Sequence, residues 1–184
     1  MPLLNTQNQS LGFIAKDFML SSSLGDFFLL SDFLDKQALL IVFISQSDAN
    51  SLVFWPYLID LYEKYSSDLN LIAVNSNDPI KSPSDHIDSL RKFTLENSLK
   101  FPYLVDSDQT CALSYNAQYN PENFLFRIKQ TRAELFFKGN AVDNIPEPFN
   151  SQVHYLRNEI DQLLSGKEPI NKKQNITGTR IVWK

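Results

Sequence analysis

One cysteine, two histidines and a serine-rich stretch holding a single carboxylate are the residues of this 184-residue sequence whose types could do chemistry. The cysteine is Cys111, in the run DSDQTCALSYNA beside Ala112 and Tyr115. Thiol chemistry needs a thiolate, and therefore an exposed sulfur with a cation or a helix N-terminus beside it. The apolar neighbours of Cys111 fit a buried core thiol instead. With one cysteine no intrachain disulfide can form, and nothing points to an oxidising compartment. His86 and His154 lie far apart, each on an expected helix and without a second ligand at metal spacing. Both are expected at the surface, and no metal or cofactor is expected.

The carboxylate is Asp48, in the polar run Ser45 to Ser51. An apolar stretch of strand length, Ala38 to Ile44 (ALLIVFI), precedes it and suits a central strand covered on both faces. After it comes LVFWPYLIDLYEKY, with Leu52, Trp55, Leu58, Ile59 and Tyr62 at helical spacing. Ser47, Asp48 or Ser51 can therefore cap a helix that starts here. Pro56 is tolerable in the first turn and bends the helix if it lies further in.

A second buried strand, Leu69 to Val74, closes at the polar Asn75 to Asp78. Strand, helix and strand in this order imply a right-handed unit with a parallel pair. Ser84 to Ser98 has a helical period, with Ile87, Leu90 and Leu95 inward and Ser84 or Asp85 as cap. Phe101 to Val105 is a short extended piece and Ser107 to Asn116 a short helix. Phe124 to Ile128 and Glu134 to Lys138 form a hairpin around the polar Lys129 to Arg132. Ser151 to Leu164 is an amphipathic helix stopped by Gly166. The whole is an α/β fold: a central mixed sheet with helices on both faces and an N-terminal β-hairpin, GFIAKDFMLSSSLGDFFLLSDF. It reads as a single domain over 1–184, with its core at 11–164 and a tail at 165–184 that is polar until the apolar Ile181, Val182 and Trp183.

Composition limits the function classes. A net charge of −4 gives no footprint for nucleic acid or anionic lipid, and Lys172 with Lys173 reads as part of a solvated tail. Met1 to Ser10 is polar and uncharged, unlike a secretory leader, so the cytoplasm is the expected compartment. No stretch suggests a membrane span. The aromatics, Phe43, Trp55 and Trp183 among them, carry no interleaved basic residues and read as packing.

Several blocks resemble the peroxiredoxin-like branch of the thioredoxin superfamily, the alkyl hydroperoxide reductase/thiol-specific antioxidant family. They are GFIAKDF, LSDF, LLIVFIS, VNSND (Val74 to Asp78), FPYLVDSDQTCALSYNA (Phe101 to Ala117), PENFLF (Pro121 to Phe126), FKG and GTRIVWK. The likeness spans almost the whole chain and implies a thioredoxin-like fold.

It also implies where a dithiol site would stand. The family pattern C-x-x-C-P-Y falls on Ser45 to Asn50, which leaves Ser45 and Asp48 in the cysteine positions. No catalytic residue is therefore expected, because neither a hydroxyl nor a carboxylate can replace a redox sulfur. Peroxide reduction lacks its cysteine and its proline- and threonine-containing loop for the same reason. Asp48 reads as a helix cap; the alternative is a general base in the old cleft, which would need a partner and an apolar setting. Two further places where relatives carry cysteine hold Tyr119 and Thr179. Pro121 matches the family's cis-proline, whereas spacing alone would read Asn120-Pro121 as an ordinary turn.

The resemblance thereby implies that an extended peptide or protein partner can pair with the backbone around Asn120, with Asn120, Pro121, Asp48 and Trp55 as the expected binding residues. The functional expectation is a redox-inactive binding or scaffolding module. The competing reading is a thiol oxidoreductase or peroxidase using Cys111 and an external thiol. A structural subunit of an oligomer, such as a dimer, is a third class.

Overall fold

The computed structural model describes residues 11–171 and 176–184; the expectations about Met1 to Ser10 and about Lys172 and Lys173 fall outside them. Seven strands form one sheet in the order β2-β1-β5-β4-β3-β7-β8. These are β1 (Met19–Ser22), β2 (Phe27–Leu29), β3 (Ala38–Phe43), β4 (Leu69–Asn75), β5 (Tyr103–Val105), β7 (Glu122–Lys129) and β8 (Arg132–Gly139). Two short strands, β6 (Tyr119–Asn120) and β9 (Thr179–Arg180), pair separately.

β3 lies inside the sheet, between β4 and β7, because none of its side chains can face water: every residue from Ala38 to Phe43 is fully buried. It runs parallel to β4, with Leu40 opposite Leu71 and Ile41 opposite Ile72, and antiparallel to β7. The parallel β3–β4 pair is the one the sequence implies, joined by helix α1 (Ala49–Tyr65). Period-two alternation sends Leu40, Val42 and Ile44 to one face and Leu39, Ile41 and Phe43 to the other. Burying each such side chain stabilises the fold by about 1.5–3 kcal/mol. The expected N-terminal hairpin is β1–β2, and β1 also pairs with β5, so the hairpin extends the sheet.

Helices cover both faces. α1, α2 (Ile87–Glu96) and α4 (Tyr155–Leu164) pack on the Leu40 side through Leu58, Leu61, Leu90, Leu156 and Ile160. α3 (Thr110–Ser114) packs on the Ile41 side through Cys111 and Ala112.

Five expectations need correction. On α1 the buried stripe is Phe54, Trp55, Tyr57, Leu58 and Leu61, while Leu52 is 50% exposed; the many apolar residues of α1 allow more than one stripe, and the sheet selects one. On α2, Leu95 is 62% exposed, and Phe93 and Thr94 turn inward instead. The α2 cap is His86, whose Nδ1 accepts from Asp88 N at 3.4 Å, because Pro83–Asp85 forms a separate single turn before it. The second histidine, His154, is half-buried at the start of α4, stacked on Tyr57 and 3.1 Å from its hydroxyl. The C-terminal segment is not wholly apart from the core either, since Ile181 is 3% exposed and packs in the α3-side cluster.

Candidate functional site

The end of β3 delivers Ser45 to the start of α1, and Asp48 caps that helix by accepting from Ser51 N at 3.0 Å. The same carboxylate accepts from Ser45 Oγ at 2.6 Å and from Thr179 Oγ1 at 3.2 Å. Ser45 is fully buried; its backbone N–H donates to Ser51 Oγ at 3.3 Å, and its carbonyl accepts the Trp55 indole N–H at 3.3 Å. Both cysteine positions of the family pattern are thus committed to local hydrogen bonds. Asp48, with three donors on it, caps the helix and clasps Thr179.

Trp55 is 2% exposed and wedged among Phe93, Phe101 and Tyr103, with ring centroids 4.8 to 6.5 Å away. Its helical position turns it under α1 onto the sheet, which is the packing role that the sequence also gives it.

The Asn120-Pro121 bond is cis, as the resemblance implies. Its loop is held from beneath by Glu122, whose Oε2 accepts from Gln118 N at 2.6 Å and Tyr119 N at 3.0 Å. Oε1 of the same carboxylate is 2.9 Å from Lys138 Nζ, on the neighbouring strand β8. A buried carboxylate is tolerable only when paired and hydrogen-bonded, and Glu122 is both.

Asn77, which the sequence leaves without a role, joins the loop to the α1 terminus. Its Nδ2 donates to Ser47 Oγ at 3.1 Å and Asp85 Oδ2 at 2.9 Å, while its Oδ1 accepts from Asn120 Nδ2 at 3.1 Å and Val182 N at 2.9 Å. Every hydrogen-bonding position of that amide is used. Asp85 in turn accepts from Gln46 N at 2.7 Å and Asn75 Nδ2 at 2.7 Å. Nothing local marks these residues, since their partners are brought together by β4 and by the turn before α2. The VNSND block was the available signal.

The edge beside the cis-proline is occupied. Strand β9 pairs antiparallel with β6, with Asn120 opposite Thr179 and Tyr119 opposite Arg180. Ile181 N donates to Gln118 O at 2.9 Å and extends that pairing. The two further positions where relatives carry cysteine, Tyr119 and Thr179, are therefore drawn to the same place, and Thr179 reaches Asp48. Gly178 permits the approach: a Cβ there would stand 2.9 Å from Asn120 O and 3.1 Å from Tyr119 Cβ.

Cys111 lies apart from this cluster, in the core beneath α3. It is 4% exposed, and its backbone N–H donates to Asp106 Oδ1 at 3.1 Å. Burial pushes its thiol far above the usual range, and the neighbouring Asp106 and Asp108 push it further in the same direction. Asp106 is also raised, by its own burial, against the hydrogen bonds from Ala112 N, Ser76 Oγ and Cys111 N. Among the described residues no group of histidine, cysteine, aspartate and glutamate side chains could hold a metal ion. No described helix is long and apolar enough to cross a membrane.

A mixed sheet covered on both faces, a cis-proline loop and the start of α1 beside it define a thioredoxin-like fold. The chain belongs to the AhpC/TSA family, whose sequence model matches residues 11–139. It is similar over 97% of both chains to a hypothetical protein from Sinorhizobium meliloti, with 28% identity and a TM-score of 0.87. An uncharacterized conserved protein from Geobacillus kaustophilus is also 28% identical, with a TM-score of 0.86, over 96% of this chain and 94% of that one. A peroxidoxin from Mycobacterium tuberculosis is 14% identical with a TM-score of 0.64, over 86% of this chain and 98% of that one, a likeness of fold alone. No curated protein matches the chain.

Proposed function

We propose that this chain is a redox-inactive member of its family that serves as a binding or scaffolding module through the surface beside its cis-proline. One observation carries the reading: the two positions that the family pattern gives to sulfur hold Ser45 and Asp48, both already hydrogen-bonded to their neighbours. Thiol exchange requires a thiolate that an attacking or leaving sulfur can reach, and neither residue supplies one. Cys111 does not substitute for them, because burial and two nearby carboxylates favour its neutral thiol. What is left of the site is backbone and amide recognition around Asn120, which suits an extended peptide. The net charge of −4 argues against nucleic acid and anionic lipid.

Turnover assays test this reading. The purified chain is expected to reduce insulin disulfides and to consume peroxide, with dithiothreitol or thioredoxin as reductant, only at the uncatalysed rate. Cys111→Ser is expected to change nothing in either assay. Turnover that disappears in Cys111→Ser would replace the proposal by a one-cysteine enzyme.

A further inference from the structure

We propose that Gly178–Lys184 is a built-in occupant of the cis-proline edge, and that the partner of this site is an extended peptide of another protein, of the same chemical pattern, that takes its place. The proposal rests on the binding function above and names its ligand class.

The segment is held as a bound peptide would be. Thr179 and Arg180 add a strand to Tyr119–Asn120, and Ile181 N continues the pairing at Gln118 O. Val182 is read at both backbone groups: its N–H donates to Asn77 Oδ1 at 2.9 Å, and its carbonyl accepts from Asp78 N at 2.8 Å and Gln109 Nε2 at 3.0 Å. The Lys184 N–H donates to Gln109 Oε1 at 3.0 Å, and Lys81 Nζ donates to the Trp183 carbonyl at 2.6 Å. Most of these contacts are to the backbone, which any extended peptide carries.

Three positions select among peptides. The first must be glycine, because a Cβ at Gly178 meets the Asn120 carbonyl at 2.9 Å. The second carries a small hydroxyl for Asp48 Oδ1, as Thr179 does at 3.2 Å. The fourth is branched and apolar, as Ile181 is, since it is buried with the α3-side cluster. The ligand class is therefore an extended Gly-(Thr/Ser)-x-(Ile/Val) peptide.

The geometry also points to an occupant that can leave. The β6–β9 ladder has two residues on each strand, and Thr179 and Arg180 are both exposed. So short a strand pair has little stability of its own. Ile181 is the one fully buried side chain of the segment and Trp183 is half-buried against the same cluster, whereas β3 is buried throughout. A resident occupant lowers apparent affinity for a competitor by the fraction of molecules in which the edge is open.

Two measurements on the full chain test this. Hydrogen exchange of the unmodified protein is expected to release the Ile181 and Val182 amides at least about tenfold faster than those of Ile41 and Val42, through local opening. Equal protection would make the segment a permanent part of the fold and overturn the proposal. In the second, a fluorescein-labelled peptide with the sequence of Gly178–Lys184 is titrated into the unmodified chain and into Gly178→Val. Binding at least about 100-fold tighter to the variant is expected, as for an edge open in about 1% of unmodified molecules. Equal binding to both, or none to a variant whose circular dichroism matches the parent, would overturn the proposal. So would a doubled solution mass produced by copies exchanging these segments, which would make a second copy the occupant. None of these outcomes depends on redox turnover, so the proposal can fail while the redox-inactive reading stands, and the reverse.

Discussion

Lys138→Met lowers the unfolding free energy by about 3 kcal/mol in urea denaturation, because it strands the Glu122 carboxylate without its cation. Glu122 is 1% exposed, and Lys138 Nζ stands 2.9 Å from its Oε1. Removing one partner of a buried pair generally costs about 3–5 kcal/mol, and the lower end applies here because two backbone N–H groups still bind the carboxylate. Glu122→Gln added to Lys138→Met removes the stranded charge while leaving an acceptor for Gln118 N and Tyr119 N. The double variant therefore regains more than half of the loss. The same pair fixes the loop that carries Asn120, so Lys138→Met also loosens β9, seen as faster exchange at Ile181. A double variant no more stable than Lys138→Met would show that the lysine contributes through its other contacts, the Asn116 carbonyl and the Phe124 ring, and not through Glu122.

Asp85→Ala costs about 3 kcal/mol and unsettles the α1 terminus. Gln46 N, Asn75 Nδ2 and Asn77 Nδ2 all converge on the Asp85 carboxylate at 2.7 to 2.9 Å; alanine leaves Gln46 N without an acceptor and takes one of two acceptors from each asparagine amide, which keep Tyr103 Oη and Ser47 Oγ. Each buried donor so orphaned costs about 1–3 kcal/mol, reduced where water can enter the space left by the carboxylate. Asp85→Asn keeps one acceptor oxygen for Gln46 and Asn75 but turns an amide toward Asn77 Nδ2. Its loss is therefore intermediate, and denaturant midpoints order the proteins parent, Asn and Ala. Equal midpoints for Ala and the parent would mean that this network contributes no stability.

The strands and the Asp48 cap were legible because their causes are local. ALLIVFI admits no amphipathic helix of useful length and no exposed face, and Asp48 stands between that strand and an apolar-periodic run. The cis-proline and the missing sulfur came from the resemblance, not from spacing. Asn77 and Asp85 were not legible as a site, because their partners lie up to 105 residues away, as between Asn77 and Val182. Leu52 was misplaced for a related reason: helical periodicity shows that α1 has an apolar face, while the sheet beneath decides where that face begins. The last segment misled differently. Polar residues precede Ile181, Val182 and Trp183, and only the glycine at 178 hinted that the backbone there approaches another strand closely.

The central claim, that this family member retains no reactive thiol, is tested most directly by labelling the unmodified native protein and reading its intact mass. Cys111 is buried and its thiol is pushed upward, first by burial and then by Asp106 and Asp108, which favours the unreactive neutral thiol. With iodoacetamide, and separately with peroxide followed by dimedone, the native chain is predicted to show no adduct, while the chain unfolded in guanidinium takes one iodoacetamide group. Stoichiometric labelling of the native chain by either route would contradict the account, because it would mean an accessible and ionisable sulfur in a protein argued to have none.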